Sequence, residues 1–144
     1  RALYFIEGST LYIPGTNEVR DWLVNLNFAT TKGAHRGFLS VSNNLNKIVW
    51  ENQVEHIVAH SMGAAAAQIL SCRLPKCVKQ VDCYGSPRAF QNGLQDTKNL
   101  RLIINPFDPV CALPVHLRHS EQASVVIQKR GPKLWNPHCY WLLL

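Results

Sequence analysis

A chain of 144 residues with 47% hydrophobic content supports one core and leaves too little apolar material for two, so residues 1–144 are expected to form a single domain. No apolar run reaches the roughly 18 residues of a helical membrane span, and the closing Trp141-Leu142-Leu143-Leu144 run is far shorter. The formal net charge of +6 is dispersed, with no basic block interleaved with aromatics, so nucleic acid is not an expected partner, whereas an anionic membrane surface stays open.

In chain order, residues 2–6 are rich in β formers, Glu7-Gly8-Ser9 has turn chemistry and Thr10 to Ile13 is a second β-rich run, which together predict a hairpin. Val19, Trp22, Leu23 and Leu26 recur at spacings of 3 and 4 and predict a helix over Asn17 to Leu26 with one apolar face. Phe28 to Gly37 reads as a loop. Phe38 to Val54 reads as a helix with Leu39, Leu45, Ile48, Val49 and Trp50 on its inner side. His56 to His60 suits a buried parallel strand, and Gly63 to Leu70 a helix stopped by Pro75. Val78 to Tyr84, Leu100 to Ile104 and Ser124 to Ile127 read as further strands, and His138 to Leu144 as a closing helix. Strands alternating with helices predict an α/β domain with a mostly parallel central sheet flanked by helices, where function gathers at the carboxyl ends of the strands.

The five cysteines (Cys72, Cys77, Cys83, Cys111 and Cys139) are odd in number and lack the paired C-x-x-C spacing of a zinc site. Free thiols in a reducing intracellular compartment are expected, with a Cys72–Cys77 bridge as the alternative. No signal peptide is visible where the sequence opens on Arg1, and with no initiator Met it reads as processed, trimmed or a piece of something longer.

Chemistry concentrates at Ile57-Val58-Ala59-His60-Ser61-Met62-Gly63-Ala64-Ala65. A serine falls between a buried strand and a helix, with small residues two positions to either side. Such a turn is so tight that a large side chain at either flank would collide with the neighbouring element. It holds the serine strained, with its hydroxyl turned into the cleft and the helix amides aimed at the same place. This is the G-x-S-x-G elbow with Ala59 in place of the first glycine.

A serine nucleophile needs a base, and the base an acid to orient it; in this architecture they follow in the order Ser, acid, His. Asp108 lies just past the strand Leu100 to Ile104, where the acid belongs. Asp82 falls within a strand, Asp96 in a loop, and Glu121 is a fallback. His138 follows a Gly/Pro-containing loop after the last strand and is the expected base. His116 and His119 sit close to Asp108 in sequence and could serve only through an unusual fold-back.

In these motifs the chain resembles the class 3, fungal-type triacylglycerol lipases of the α/β-hydrolase superfamily. Gly15-Thr16 followed by Asp21-Trp22-Leu23 is similar to that family's G-[TS] turn and D-W-L helix. Ala34-His35-Arg36-Gly37-Phe38 is similar to V-H-x-G-F, Tyr84-Gly85-Ser86-Pro87-Arg88 to F-G-S-P-R, and Asp108-Pro109-Val110 with Leu113-Pro114 to D-x-V-x-x-L-P. His138 with Tyr140 resembles the terminal H-x-x-Y region, one residue shorter. Pro14 stands where the family commonly has Arg, and the family's long N-terminal helix is missing.

The resemblance implies a compact α/β-hydrolase fold and a Ser61, Asp108 and His138 triad that cleaves lipid esters without cofactor or metal. It implies an oxyanion hole from the Met62 N–H and Thr16, the latter favoured over Ser9 by the Asp-Trp-Leu that follows. It makes His35 and Ser86 structural, and it gives Asn17 to Leu26 the place of the family's lid, with a fixed core helix equally open. A lipid interface is the implied partner. A phospholipase A-type activity, another acyl hydrolase such as a thioesterase, and a catalytically silent binding domain are the rivals.

Overall fold

The computed structural model describes residues 4–15, 30–31, 33–93 and 95–128. The expected helices over Asn17 to Leu26 and His138 to Leu144 lie outside the described residues.

The N-terminal hairpin forms as expected. β1 (Phe5–Glu7) and β2 (Thr10–Ile13) pair antiparallel across a turn in which Gly8 takes φ 59°, open to glycine at no steric cost. β5 (His56–His60), β6 (Gln80–Tyr84), β7 (Leu100–Ile104) and β8 (Ser124–Ile127) then add in parallel, giving one six-stranded sheet of order β1-β2-β5-β6-β7-β8. The stretch 28–37, expected as a loop, instead carries a small antiparallel ribbon of β3 (Thr30–Thr31) and β4 (Ala34–His35), with Gly33 at φ 76° in its turn.

Helix α1 runs Arg36–Glu51, starting and ending earlier than its apolar spacing predicts. It starts early because His35 caps it, Nδ1 accepting from the Phe38 amide at 3.4 Å. It ends early because Gln53 turns left-handed at φ 49°. Its buried side is Phe38, Ser42, Leu45 and Val49. Trp50, expected inward, is 58% exposed, because Val49 takes the core position and the next residue on a helix points about 100° away. Asn43 and Asn44 lie on the outer face, where they disturb nothing.

Helix α2 (Ser61–Leu70) is buried at every residue but Met62, because it packs against α1, β5 and β6 together. The run Ala64 to Ala67 is fully buried, and only small side chains permit so close an approach. α2 leaves helical geometry at Leu70, in a 3-10 turn over Ser71–Arg73, before Pro75 is reached.

One face of the sheet (Leu11, Ile13, Ile57, Ala59, Val81, Cys83 and Leu102) meets Leu45, Val49, Ala64, Ala67 and Leu70 in the main core. Leu45 and Val49, both fully buried, each contribute about 1.5–3 kcal/mol. The opposite face carries Tyr12, Val58, Asp82 and Arg101 in one cross-strand row. Every parallel strand points its carboxyl end the same way, so the loops after β2, β5, β6 and β7 share one edge of the sheet.

Candidate active site

Ser61 follows β5 directly and opens α2 at φ 55°. A non-glycine residue in that region is strained by about 1–3 kcal/mol and persists only where its surroundings dictate it. The surroundings here are the end of β2. A Cβ on Gly63 would lie 2.6 Å from Ile13 Cγ2 and 2.8 Å from the Ile13 carbonyl oxygen. A Cβ on Gly15 would lie 2.6 Å from Ser61 Cβ and 2.7 Å from His60 Nδ1. Gly63 needs to be glycine because the β2 backbone closes on it, and Gly15 because the Ser61 and His60 side chains do. Ala59 is 1% exposed and packs its methyl into the main core, so the missing first glycine costs no room. Ser61 itself is fully buried.

Met62 occupies the second position of α2, where the backbone N–H is one of the four that a helix leaves without an intrahelical acceptor. Its side chain packs on the second core cluster, which includes Phe38, Ala65 and Phe90. Thr16, the other expected oxyanion donor, and His138, the expected base, both lie outside the described residues.

Asp108 is 3% exposed in the turn after β7. Its amide donates to the Asn105 carbonyl at 3.0 Å, and the Phe107 amide donates to Asn105 Oδ1 at 3.0 Å. Its own carboxylate caps a 3-10 turn, Pro109–Ala112, with Oδ1 accepting from the Val110 amide at 2.9 Å. Oδ2 faces the Cys111 thiol at 3.6 Å. Burial and the adjacent carboxylate push that thiol far above its ordinary range, so it stays protonated. β7 is two strands from β5, roughly 10 Å at the usual strand spacing. Ser61 and Asp108 therefore sit at the same edge of the sheet.

The other acids are placed differently. Asp82 is locked on the far sheet face by Arg101, which donates to both carboxylate oxygens at 2.7 and 2.8 Å, and by Gln80 Nε2 at 3.1 Å. Asp96 and Glu121 are exposed. Among the histidines, His35 packs on Phe38 with tilted rings whose centroids are 4.3 Å apart and caps α1; burial, then the nearby His116, holds its imidazole below the ordinary histidine range. His119 is committed to Cys111 and Gln68. Ser86 accepts from Gln68 Nε2 at 2.6 Å and so braces the turn after β6, as a structural residue would.

A cavity of about 310 Å³ opens beside the elbow, lined by Phe5, Tyr12, Val58, His60 and Tyr84. Phe5 and Tyr12 stack at 4.7 Å and with Tyr84 form the aromatic part of an apolar wall that Ile13, Pro14 and Ala59 complete. No sequence motif announces it, because its lining comes from strands far apart in the chain. The described cysteines Cys72, Cys77, Cys83 and Cys111 are all free, so the alternative Cys72–Cys77 bridge is not formed. Among the described residues no group of three or more His, Cys, Asp or Glu could hold a metal ion.

This sheet order, hairpin and strand–elbow–helix unit define an α/β-hydrolase fold. Among solved structures, the Lip2 lipase of Yarrowia lipolytica superposes with a TM-score of 0.58 at 15% identity, over 85% of this chain and 58% of the lipase. The nonglycosylated form of the same lipase gives the same values. The likeness is one of fold, and the chain spans 58% of the length of these structures. No protein-family model matches the chain, and no curated protein matches it.

Proposed function

We propose that the protein is a serine hydrolase of carboxylic esters, of the class 3 lipase type, acting on lipid esters through Ser61, His138 and Asp108. The observation that carries the reading is the left-handed Ser61 at the β5–α2 junction, a strained conformation that an incidental serine would not need. Asp108 at the same edge of the sheet, in the chain order that this chemistry uses, supports it.

In the proposed reaction His138 takes the Ser61 hydroxyl proton as Oγ attacks the ester carbonyl. The Met62 amide and Thr16 hold the oxyanion; losing one such donor typically costs about 100- to 1000-fold. The C–O bond breaks, and His138 passes its proton to the departing alcohol. Water then gives a proton to His138 and attacks the acyl-enzyme, which releases the carboxylic acid and returns the proton to Ser61. Asp108 orients the imidazole and stabilises its cation. The aromatic cavity beside His60 favours an apolar acyl group over a polar one.

Hydrolysis of glycerophospholipid is the second reading, favoured by the +6 net charge, which draws the protein to anionic bilayers. Fatty-acid release from triglyceride and from phospholipid, each presented as monomer and as interface, separates the two. A fluorophosphonate probe tests the shared chemistry: labelling of the wild type and none of Ser61→Ala is expected, and an unlabelled wild type returns the chain to a silent binding domain.

A further inference from the structure

Gln68, His119 and Cys111 form a polar bridge that the proposed reaction does not use. Gln68 is fully buried on α2, two turns beyond Ser61 on the same helix face. Its amide nitrogen lies 2.6 Å from Ser86 Oγ, 3.1 Å from the Pro87 carbonyl and 3.3 Å from His119 Nδ1. A carbonyl only accepts, so the Pro87 contact assigns the nitrogen to that side of the amide. The same logic puts the His119 ring proton on Nε2, 2.9 Å from the Cys111 carbonyl. Nδ1 then accepts from Gln68, and the ring is neutral.

Cys111 belongs to the 3-10 turn that Asp108 opens, and its own thiol touches that carboxylate. His119 thus joins the helix that begins at Ser61 to the turn that carries Asp108. Its neighbours hold it still. Arg118 and Phe90 exchange backbone hydrogen bonds at 2.7 and 3.0 Å, and Ser120 Oγ meets Thr97 Oγ1 at 2.6 Å.

We infer that His119 is a positioning residue of the Ser61–Asp108 site, whose neutral imidazole clamps the acid turn onto the nucleophile helix and so fixes where the Asp108 carboxylate stands. The inference rests on the ester-hydrolase reading. His119 touches no reacting atom and acts through Cys111. A proton on Nδ1 would face the Gln68 amide hydrogens and open the clamp. Burial opposes that proton, the hydrogen bond to the Cys111 carbonyl favours it, and Arg88 on the turn after β6 opposes it. α2 presents only the neutral Gln68, and the acid turn presents the Cys111 carbonyl with Asp108 in the same turn.

The test compares His119→Leu, which removes both contacts, with His119→Gln, which keeps an N–H for the Cys111 carbonyl. Amide hydrogen exchange at Val110, Cys111 and Leu113 is expected to quicken about tenfold in His119→Leu, the loss of one buried hydrogen bond. On a p-nitrophenyl ester, kcat is expected to fall about tenfold with KM within about twofold, as for misplaced machinery. His119→Gln is expected to restore most of both and to remove the His119 inflection from the acid limb of the kcat profile. Unchanged exchange in His119→Leu overturns the clamp, and quicker exchange with unchanged kcat overturns the positioning role. If His119→Leu does not fold, Gln68→Met opens the same bridge from the helix side and is read by the same exchange. A wild type that neither turns over nor labels at Ser61 defeats the hydrolase reading and the positioning role with it, while quicker exchange still establishes the clamp.

Discussion

The elbow at Ser61, the proposed nucleophile, and the turn at Asp108, the proposed acid, sit at the same sheet edge and are held by opposite means. The elbow is held by contact. Gly15 and Gly63 leave no room for a Cβ, and the alanines of α2 let backbone approach backbone. The acid turn is held by directional bonds: the Asn105 carbonyl and Oδ1, the Val110 amide, the Cys111 thiol and the His119 ring. Steric fixing tolerates no added atom but is indifferent to pH. Polar fixing tolerates atoms but depends on which protons are present.

The two regions part most sharply under substitution. Ser61→Ala is expected to lower ester turnover by about a millionfold, measured on a p-nitrophenyl ester; a rate near wild type would remove the elbow from the chemistry. Asp108→Asn is expected to lower it about 10,000-fold by losing the group that orients and stabilises the imidazolium. An unchanged rate would move the acid to Glu121 or Asp96.

Gly63→Ala tests the steric half. Helix propensity favours alanine by about 1 kcal/mol, but the new methyl meets Ile13 at 2.6 Å and its carbonyl at 2.8 Å. A net destabilisation of about 2 kcal/mol is expected from overpacking, read as a lower urea midpoint at constant slope. A rise in the midpoint would show that β2 can step aside.

Acid tests the polar half. Burial lowers the folded-state values of His35 and His119 below the unfolded 6.5. The unfolded chain then binds more protons, so stability is whole above pH 6.5 and declines as pH falls from there toward the folded values. Urea midpoints from pH 8 to 5 are expected to show that decline, and His119→Gln to flatten part of it. His35→Ala is expected to lose the α1 cap, about 1 kcal/mol, together with the buried ring's contact with Phe38, and the same urea midpoints read the loss.

The elbow was readable in the sequence because its determinants are contiguous. Ala59, Ser61, Gly63 and the alanine run state a close strand–helix approach in nine residues, and β5 has the expected bounds. The four strands β2, β5, β7 and β8 were equally plain, being short β-rich runs between turn residues. The bounds of α1 were not, because they depend on the His35 cap and the left-handed Gln53, which apolar spacing cannot register. Hydropathy alone turns Trp50 inward, although Val49 beside it has the better angle. The bracing of the acid turn was hidden for a deeper reason. Gln68, Ser86, His119 and Cys111 meet only once the sheet is assembled, and the one local sign was a polar residue in an otherwise apolar helix.

On the proposed ester-hydrolase reading, the left-handed Ser61 also sets when the protein would acquire reactivity. Ile13, which closes on Gly63, and Gly15, which closes on Ser61, lie at and just beyond the end of β2, the parallel partner of β5, and parallel pairs close late because their long connections must be ordered first. A nascent or partly folded chain would relax the serine to an ordinary backbone conformation. Competence would then arrive in the same cooperative step as the finished sheet, and a molecule exposing its core during synthesis or damage would carry an inert hydroxyl.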